Sequence, residues 1–163
     1  MGGTRHRERG FTLTEMMVGV VIIGIIAIAS VPNLRSYRES QRMSQACDRI
    51  AAACRAARAQ ARTQNHTIIV EYRIGTNEFA VIQDANDNGI ADGGETVDAW
   101  PLPDGVTLDS TTFTNNQLVF NGRGLAVNGG SVIVAGYANV DPLRVRVSTG
   151  TGQVKILPAK PSS

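Results

Sequence analysis

An apolar run of 21 residues, Phe11–Val31, constrains this chain more than any other feature of the sequence. As a helix it would be about 31 Å long, which matches the hydrocarbon thickness of a bilayer. Its large apolar side chains favour insertion by roughly 3 to 6 kcal/mol in total, and the one acidic residue, Glu15, lies near an end, where its penalty is smaller. Three arginines precede the run and none lies within it. We therefore predict a single membrane-spanning helix with a cytoplasmic N-terminus and an exported remainder.

The charge of the chain argues against one broad class of function. The formal net charge is +2, and the first ten residues account for all of it. The remainder is formally neutral, whereas a general polyanion binder needs a surplus of Lys and Arg to release counterions from phosphates. Nucleic acid is therefore not an expected partner, although overall neutrality is compatible with a local basic patch.

Two interpretations of the apolar run compete. In the first, it is a secretory signal that is removed after Ala27–Ala29, which leaves a soluble exported protein beginning at Ser30. In the second, it is retained, which would explain why an acidic residue stands at its head. Thr12–Glu15 also fits a helix capping box, so capping is an alternative role for Glu15.

Residues 9–15, Arg-Gly-Phe-Thr-Leu-Thr-Glu, followed by the apolar run, resemble the class III signal of type IV pilins and type II secretion pseudopilins. The resemblance implies that a membrane prepilin peptidase cuts between Gly10 and Phe11 and that the new N-terminus of Phe11 is methylated. It also implies that the helix is retained in the inner membrane and then enters a filament. The expected partners are other pilins or pseudopilins and an inner-membrane assembly platform.

The resemblance gives Glu15 a role in assembly. A carboxylate among packed apolar helices is costly unless it is compensated, and the α-ammonium of Phe11 on a neighbouring subunit would compensate it. Gly24 and Pro32 also match the family pattern. They bound a stretch that can lose helical structure on assembly, because Gly is a weak helix former and Pro lacks an N–H group.

Residues 33–64 contain no Gly or Pro and predict a continuing helix. Two cysteines, Cys47 and Cys54, are seven residues apart, which puts their Cα atoms about 10 Å apart in a helix, too far for a disulfide. We expect the distal half of the less polar stripe, where small residues dominate, to lie against a sheet and the arginines mostly to face outward. The stripe comprises Leu34, Tyr37, Ser44, Cys47, Ile50, Ala51, Cys54, Ala57 and Ala61, and the arginines are Arg35, Arg38, Arg42, Arg49, Arg55, Arg58 and Arg62.

Beyond Asn65 the pattern changes to short β-type runs separated by Gly-rich and Asn-rich turns, which predicts antiparallel sheets packed on the helix. Aromatic residues make up only 5% of the chain, so Val, Ile, Leu and Ala must form most of the core. The predicted strands are 67–73, 78–83, 106–108, 117–120, 131–136, 143–148 and 153–157.

The segment order also resembles the GspH/FimT family of minor pseudopilins and minor pilins, through residues 119–124, 129–130, 146–148 and 151–156. The implied fold class is α+β, type IV pilin-like, with a long N-terminal helix on a C-terminal antiparallel β-sheet domain. The implied function is that of a minor pseudopilin in a type II secretion pseudopilus, or alternatively a type IV minor pilin in pilus assembly or DNA uptake. The expected regions are a leader at 1–10, a transmembrane and assembly helix at 11–32, an amphipathic helix at 33–64 and a periplasmic β-rich domain at 65–163.

One branch of that family binds DNA through a Gly-Arg-x-Arg motif near the tail. Here the corresponding residues, 152–155, read Gly-Gln-Val-Lys, so one Arg is lost and the other is Lys. The candidate contacts to nucleic acid are Arg144, Arg146 and Lys155, and the altered motif weakens that prediction.

Residues 84–95 fit the twelve-residue calcium-loop template at every ligand position. The predicted ligands are Asp84, Asn86, Asn88, the Ile90 carbonyl, Asp92 and Glu95. The flanking segments look extended rather than helical, and a metal-free Asx-rich turn is the alternative. A bound Ca²⁺ would stiffen the loop and would have no catalytic role.

The sequence does not predict an enzyme. His66 is the only histidine after the first ten residues, and no nucleophile elbow, P-loop or Cys/His set is present. We expect His66 to be a surface residue at the start of a strand.

Overall fold

Helix α1, Leu13–Gln64, leads into eight β-strands. A computed structural model describes residues 11–159, with the side chains of residues 29–33 not described. The chain divides into two compact units between Tyr37 and Arg38. The strands are β1 (Thr67–Tyr72), β2 (Glu78–Asp84), β3 (Thr96–Pro101), β4 (Thr107–Thr111), β5 (Gln117–Phe120), β6 (Gly130–Ala135), β7 (Leu143–Val147) and β8 (Val154–Pro158).

The first unit exposes its apolar side chains. The large ones between Phe11 and Ile28 are at least half exposed, from 51% at Ile22 to 84% at Phe11. Leu34 and Tyr37, in the proximal half of the less polar stripe, are exposed as well. Among the described residues, no helix combines the length and hydropathy needed to cross a membrane.

The second unit buries one face of the distal part of α1. Cys47, Ile50, Ala51, Cys54, Ala57 and Ala61 are buried as predicted. Ser44 is exposed, and Met43 and Ala46 take its place in the core. Most of these helix positions carry small side chains, so the backbone of α1 can lie close to the strands that it covers.

The strands form two antiparallel four-stranded sheets, with orders β3-β2-β1-β5 and β4-β6-β7-β8. A single buried cluster joins α1 to residues from both sheets, including Tyr72, Phe79, Phe120 and Val145. The predicted α+β, pilin-like fold class is confirmed.

All seven predicted strands are present, with ends that differ by up to three residues. The structure has one further strand, β3, which is not among the seven that the sequence predicted. All six of its residues are exposed, so it lacks the alternation of buried and exposed positions that reveals a strand. Pairing with β2, from Glu78↔Pro101 to Gln83↔Thr96, is what defines it.

Three of the helix arginines form hydrogen bonds with the part of the second unit that follows α1. Arg42 donates to the Tyr137 hydroxyl at 3.2 Å, Arg49 to the Pro101 carbonyl at 2.9 Å and Arg58 to the Gly124 carbonyl at 3.0 Å. Arg42 and Arg49 remain exposed and Arg58 is half-buried, so the prediction that the helix arginines mostly face outward is confirmed.

Both cysteines are free and buried. Burial raises the pKa of Cys47 to about 12 and that of Cys54 to about 11. The Cys54 sulfur lies 3.4 Å from the Tyr72 hydroxyl, and burial also raises the pKa of Tyr72 well above its usual value. These groups are therefore held neutral in the core.

We expect the free energy of unfolding to fall as the pH rises from about 9 towards 11. The unfolded chain loses its thiol protons in that range while the folded chain keeps them, so alkali favours the unfolded state. Urea unfolding at pH 8 and pH 10 measures the effect, and Cys47→Ala/Cys54→Ala should show a smaller drop between the two pH values. An equal drop in this variant would contradict the assignment to the thiols.

Candidate functional site

The start of α1 is stabilised by a capping box. The Thr12 backbone N–H and the Thr12 hydroxyl both donate to Glu15 Oε2 at 2.9 Å, and the Glu15 backbone N–H donates to Thr12 Oγ1 at 3.3 Å. The capping alternative for Glu15 is thus present within one chain. Any role of Glu15 towards a second subunit must act in addition to this one.

The other N-terminal candidates differ in how far the structure describes them. Phe11 is exposed, and Gly24 lies within α1 with no atom within 4 Å of the position its Cβ would take. Gly10 lies outside the described residues, and Pro32 lies within α1 at a position where only the backbone is described.

The loop between β2 and β3 is organised around Asp84, which is fully buried at the end of β2. Its Oδ1 accepts from the Asn88 backbone N–H at 3.3 Å, and its Oδ2 accepts from that of Gly89 at 2.6 Å. Gly89 has φ +76°, a conformation that favours glycine. These contacts fold the first half of the loop around one carboxylate.

The remaining candidate ligands complete the turn. Asp92 Oδ2 accepts from the amides of Asn86 at 3.0 Å and Asn88 at 2.7 Å, and these bonds lower the pKa of Asp92. Glu95 accepts from the backbone N–H groups of Ala85 and Asp92 at 3.2 and 2.9 Å. Asp92 is therefore ionised at neutral pH, and both carboxylates face the loop.

The loop connects two strands, as the extended flanks predict. Within residues 11–159, no three His, Cys, Asp or Glu side chains lie close enough together to hold a metal ion. The structure thus places Asp84, Asp92 and Glu95 in one loop without bringing the three carboxylates together.

His66 has a partner that the sequence did not reveal. Its Nδ1 lies 3.1 Å from Asp87 Oδ2, and Asp87 Oδ1 accepts from the Thr67 backbone N–H at 2.6 Å. The hydrogen bond from the Thr67 backbone N–H lowers the pKa of Asp87, and the contact with His66 lowers it further by a smaller amount. This group ties the calcium-template loop to the start of β1.

The glycines of residues 119–124 and 151–156 allow loops to approach the end of α1. A Cβ on Gly124 would lie 2.2 Å from the Arg62 side chain, and one on Gly122 would lie 2.9 Å from the Asn65 backbone. A Cβ on Gly152 would lie 2.9 Å from Phe120. These motif residues therefore have a packing role.

The three candidate nucleic-acid residues occupy one face of the second sheet. Arg144 and Arg146 are two residues apart on β7, and Arg146 lies opposite Lys155 of β8. The sequence pattern suggested this arrangement, because alternate residues of a strand share a face, but it could not show which strand lies beside β7.

Two sequence profiles match the chain. The profile described as type II transport protein GspH matches residues 46–151, and that of the prokaryotic N-terminal methylation motif matches residues 5–31.

Type II secretion system core protein G of Pectobacterium carotovorum subsp. carotovorum is 50% identical over 38 residues, which are 23% of this chain and 24% of that protein. Type IV major pilin protein PilA of Myxococcus xanthus is 45% identical over 40 residues, which are 24% of this chain and 18% of that protein. This chain thus spans at most about a quarter of the length of these two relatives.

Solved structures share the fold at low sequence identity. The minor pseudopilin EpsH of the Vibrio cholerae type 2 secretion system aligns with a TM-score of 0.52 and 14% identity, over 69% of this chain and 93% of that one. The type IV minor pilin FimU of Pseudomonas aeruginosa aligns with a TM-score of 0.55 and 14% identity, over 75% and 92%. Because the GspH profile matches residues 46–151, the chain belongs to the GspH family of type II transport proteins. It also carries a prokaryotic N-terminal methylation motif at residues 5–31.

Proposed function

We propose that this chain is a minor pseudopilin, a non-enzymatic subunit of a type II secretion pseudopilus. The observation that carries the proposal is the GspH profile match over residues 46–151 joined to the methylation motif at 5–31. The family consists of structural pseudopilin and pilin subunits, which assemble with one another and are not enzymes. The fold likeness to a minor pseudopilin supports the minor role.

The first unit supports anchoring in the inner membrane before assembly. Apolar side chains surround α1 between Phe11 and Ile28 and are exposed in the single chain. Such a surface needs lipid or other apolar helices around it, because exposing apolar side chains to water is unfavourable. The helix would insert with the N-terminus in the cytoplasm and the β-strand unit in the periplasm, and would then leave the bilayer for a filament.

The proposal is tested by identifying where a prepilin peptidase cleaves the chain. Mass spectrometry of the mature protein from membranes should find Phe11 at the N-terminus with an added methyl group. Co-expression with an inactive peptidase should leave Gly10 attached to Phe11. A product that begins at Ser30 would support the soluble exported protein instead and would contradict the proposal.

A type IV minor pilin is the second candidate function, because FimU aligns as well as EpsH does. Deletion of the gene should separate the two. Loss of secreted proteins with normal surface pili supports the pseudopilin, and loss of pili with normal secretion supports the pilin. DNA uptake would belong to the second outcome.

We further propose that residues 84–95 bind Ca²⁺. The donors are all oxygen atoms and Asp92 is ionised, which suits a hard cation. The ligands would be Asp84, Asn86, Asn88, the Ile90 carbonyl, Asp92 and Glu95. Binding would require the carboxylates to exchange some of their backbone N–H donors for the ion, which would stiffen the loop between β2 and β3.

Calorimetric titration of the purified chain with CaCl₂ should release or absorb heat, and Asp92→Ala and Asp84→Ala should abolish the signal. Asp92 is exposed, so its variant keeps the fold, whereas Asp84→Ala also removes a buried acceptor. Asp141→Ala, an exposed carboxylate outside the loop, is the matched control. Absence of heat at millimolar Ca²⁺ would favour the metal-free turn.

A further inference from the structure

Three basic side chains lie together on the outer face of the β6-β7-β8 sheet. Val145 and Val147 of β7 are buried in the core, so Arg144 and Arg146 face the other way. Arg146 is paired in register with Lys155 of β8 on one side and with Ser131 of β6 on the other. The face therefore concentrates positive charge, although the second unit as a whole has no excess of positive charge.

This arrangement is unfavourable in the isolated chain. Like charges directly opposite each other on neighbouring strands repel, as Arg146 and Lys155 do. The ion pairs formed within residues 11–159 involve only His66, Arg73 and acidic residues near them, so none of the three basic groups is neutralised there. The Nε of Arg144 is shielded from solvent and makes no hydrogen bond with any described group.

A polar pocket of about 460 Å³ opens beside these side chains. Arg144 and Arg146 line it, together with the hydroxyl residues Thr112, Ser131, Ser148 and Thr149 and the backbone of Gly129 and Gly130. Thr112 Oγ1 accepts from the Ser131 backbone N–H at 2.8 Å, which holds that wall in place. A Cβ on Gly129 would lie 2.2 Å from Thr149 Oγ1, so a side chain at position 129 would collide with another residue of the lining.

We propose that this pocket binds a carboxylate of an acidic peptide segment on a neighbouring filament subunit. Guanidinium groups and hydroxyls recognise carboxylate and phosphate oxygens equally well. Two observations favour a peptide over nucleic acid. No aromatic residue lines the pocket as a stacking platform for bases, and beyond residue 10 the chain has no surplus of positive charge.

The identity of the partner as a neighbouring subunit rests on the proposed function, but the recognition chemistry does not. A carboxylate would pair with the guanidinium groups of Arg144 and Arg146 that line the pocket and would relieve the repulsion between Arg146 and Lys155. The pocket would then add specificity for one neighbour to the general packing of the apolar helices.

Fluorescence anisotropy on the full chain in detergent micelles tests the inference. The probe is a labelled hexapeptide of alternating glutamate and glycine, with a glutamine-for-glutamate peptide and a single-stranded oligothymidylate as comparisons. We expect the acidic peptide alone to bind, and Arg144→Gln and Arg146→Gln each to weaken it by about tenfold or more. Arg55→Gln, which removes the same charge from an exposed helix position, should leave binding unchanged.

A thermal melt of each variant separates recognition from folding. Arg146→Gln should melt at the same or a higher temperature than the parent chain, because it removes a repulsive pair. Equal binding of the glutamine peptide, an equal loss in Arg55→Gln, or tighter binding of the oligothymidylate with the same arginine dependence would each overturn the inference. Cleavage at Phe11, measured in the same preparations, reports on the proposed function independently.

Discussion

Replacing Glu15 with glutamine is expected to abolish incorporation of the mature chain into filaments without altering its processing. In the proposed filament the carboxylate lies among apolar helices, where it is costly unless the α-ammonium of Phe11 on another subunit compensates it. Removing one member of a buried ion pair leaves the other charge unpaired, at a cost of about 3 to 5 kcal/mol. Pulldown of sheared filaments, with detection of this subunit, measures the loss.

The choice of glutamine separates the two roles of Glu15. Glutamine can still accept from the Thr12 backbone N–H in a capping box, as Glu15 does at 2.9 Å, but it carries no charge. Thr12→Ala is the reciprocal control, because it removes the Thr12 hydroxyl and retains the carboxylate. Filaments that contain the Glu15→Gln subunit at the normal level would show that capping is the whole role of this residue.

Replacing Gly136 with alanine is expected to lower the free energy of unfolding of the second unit by about 3 kcal/mol. This is near the upper end of the usual destabilisation caused by overpacking. The new Cβ would lie 2.1 Å from the Gly105 carbonyl oxygen and 3.0 Å from the Val106 Cα. Both contacts are with backbone, so no side-chain rotation can relieve them. They also lie beside the pairing of Thr107 with Ala135, which ties β4 to β6.

Gly93→Ala is the matched control for Gly136. A Cβ on Gly93 would meet no atom within 4 Å, and its φ is not positive, so we expect a change within about 0.5 kcal/mol. Urea unfolding followed by circular dichroism measures both. Equal stability of the two variants would mean that the loop at Gly105 moves freely, against the packing described above.

Features that depend on neighbours close in the sequence were predictable. The capping box spans four residues, the calcium-template loop spans twelve, and strands such as β5 alternate between buried and half-exposed positions. Each leaves a pattern within a few residues of chain, because turn chemistry and side-chain alternation are local properties.

Features that depend on distant neighbours were not predictable. The backbone acceptors of Arg49 and Arg58 lie 52 and 66 residues away in the chain. No local pattern distinguishes these arginines from Arg55, which points into solvent. The exposed strand β3 likewise looked extended in the sequence but showed no buried face that would identify it as a strand, and its pairing with β2 defines it.

The sequence by itself therefore determined the apolar helix with its single acid, the order of helix and strands, and the residues that could hold an ion or an anion. Only the tertiary structure decided which arginines of α1 bond to groups far along the chain, that Met43 and Ala46 join the buried face of α1, and that Lys155 lies across from Arg146. The physical reason is that hydropathy and turn preferences act between near neighbours, whereas strand pairing and packing join residues that only folding brings together.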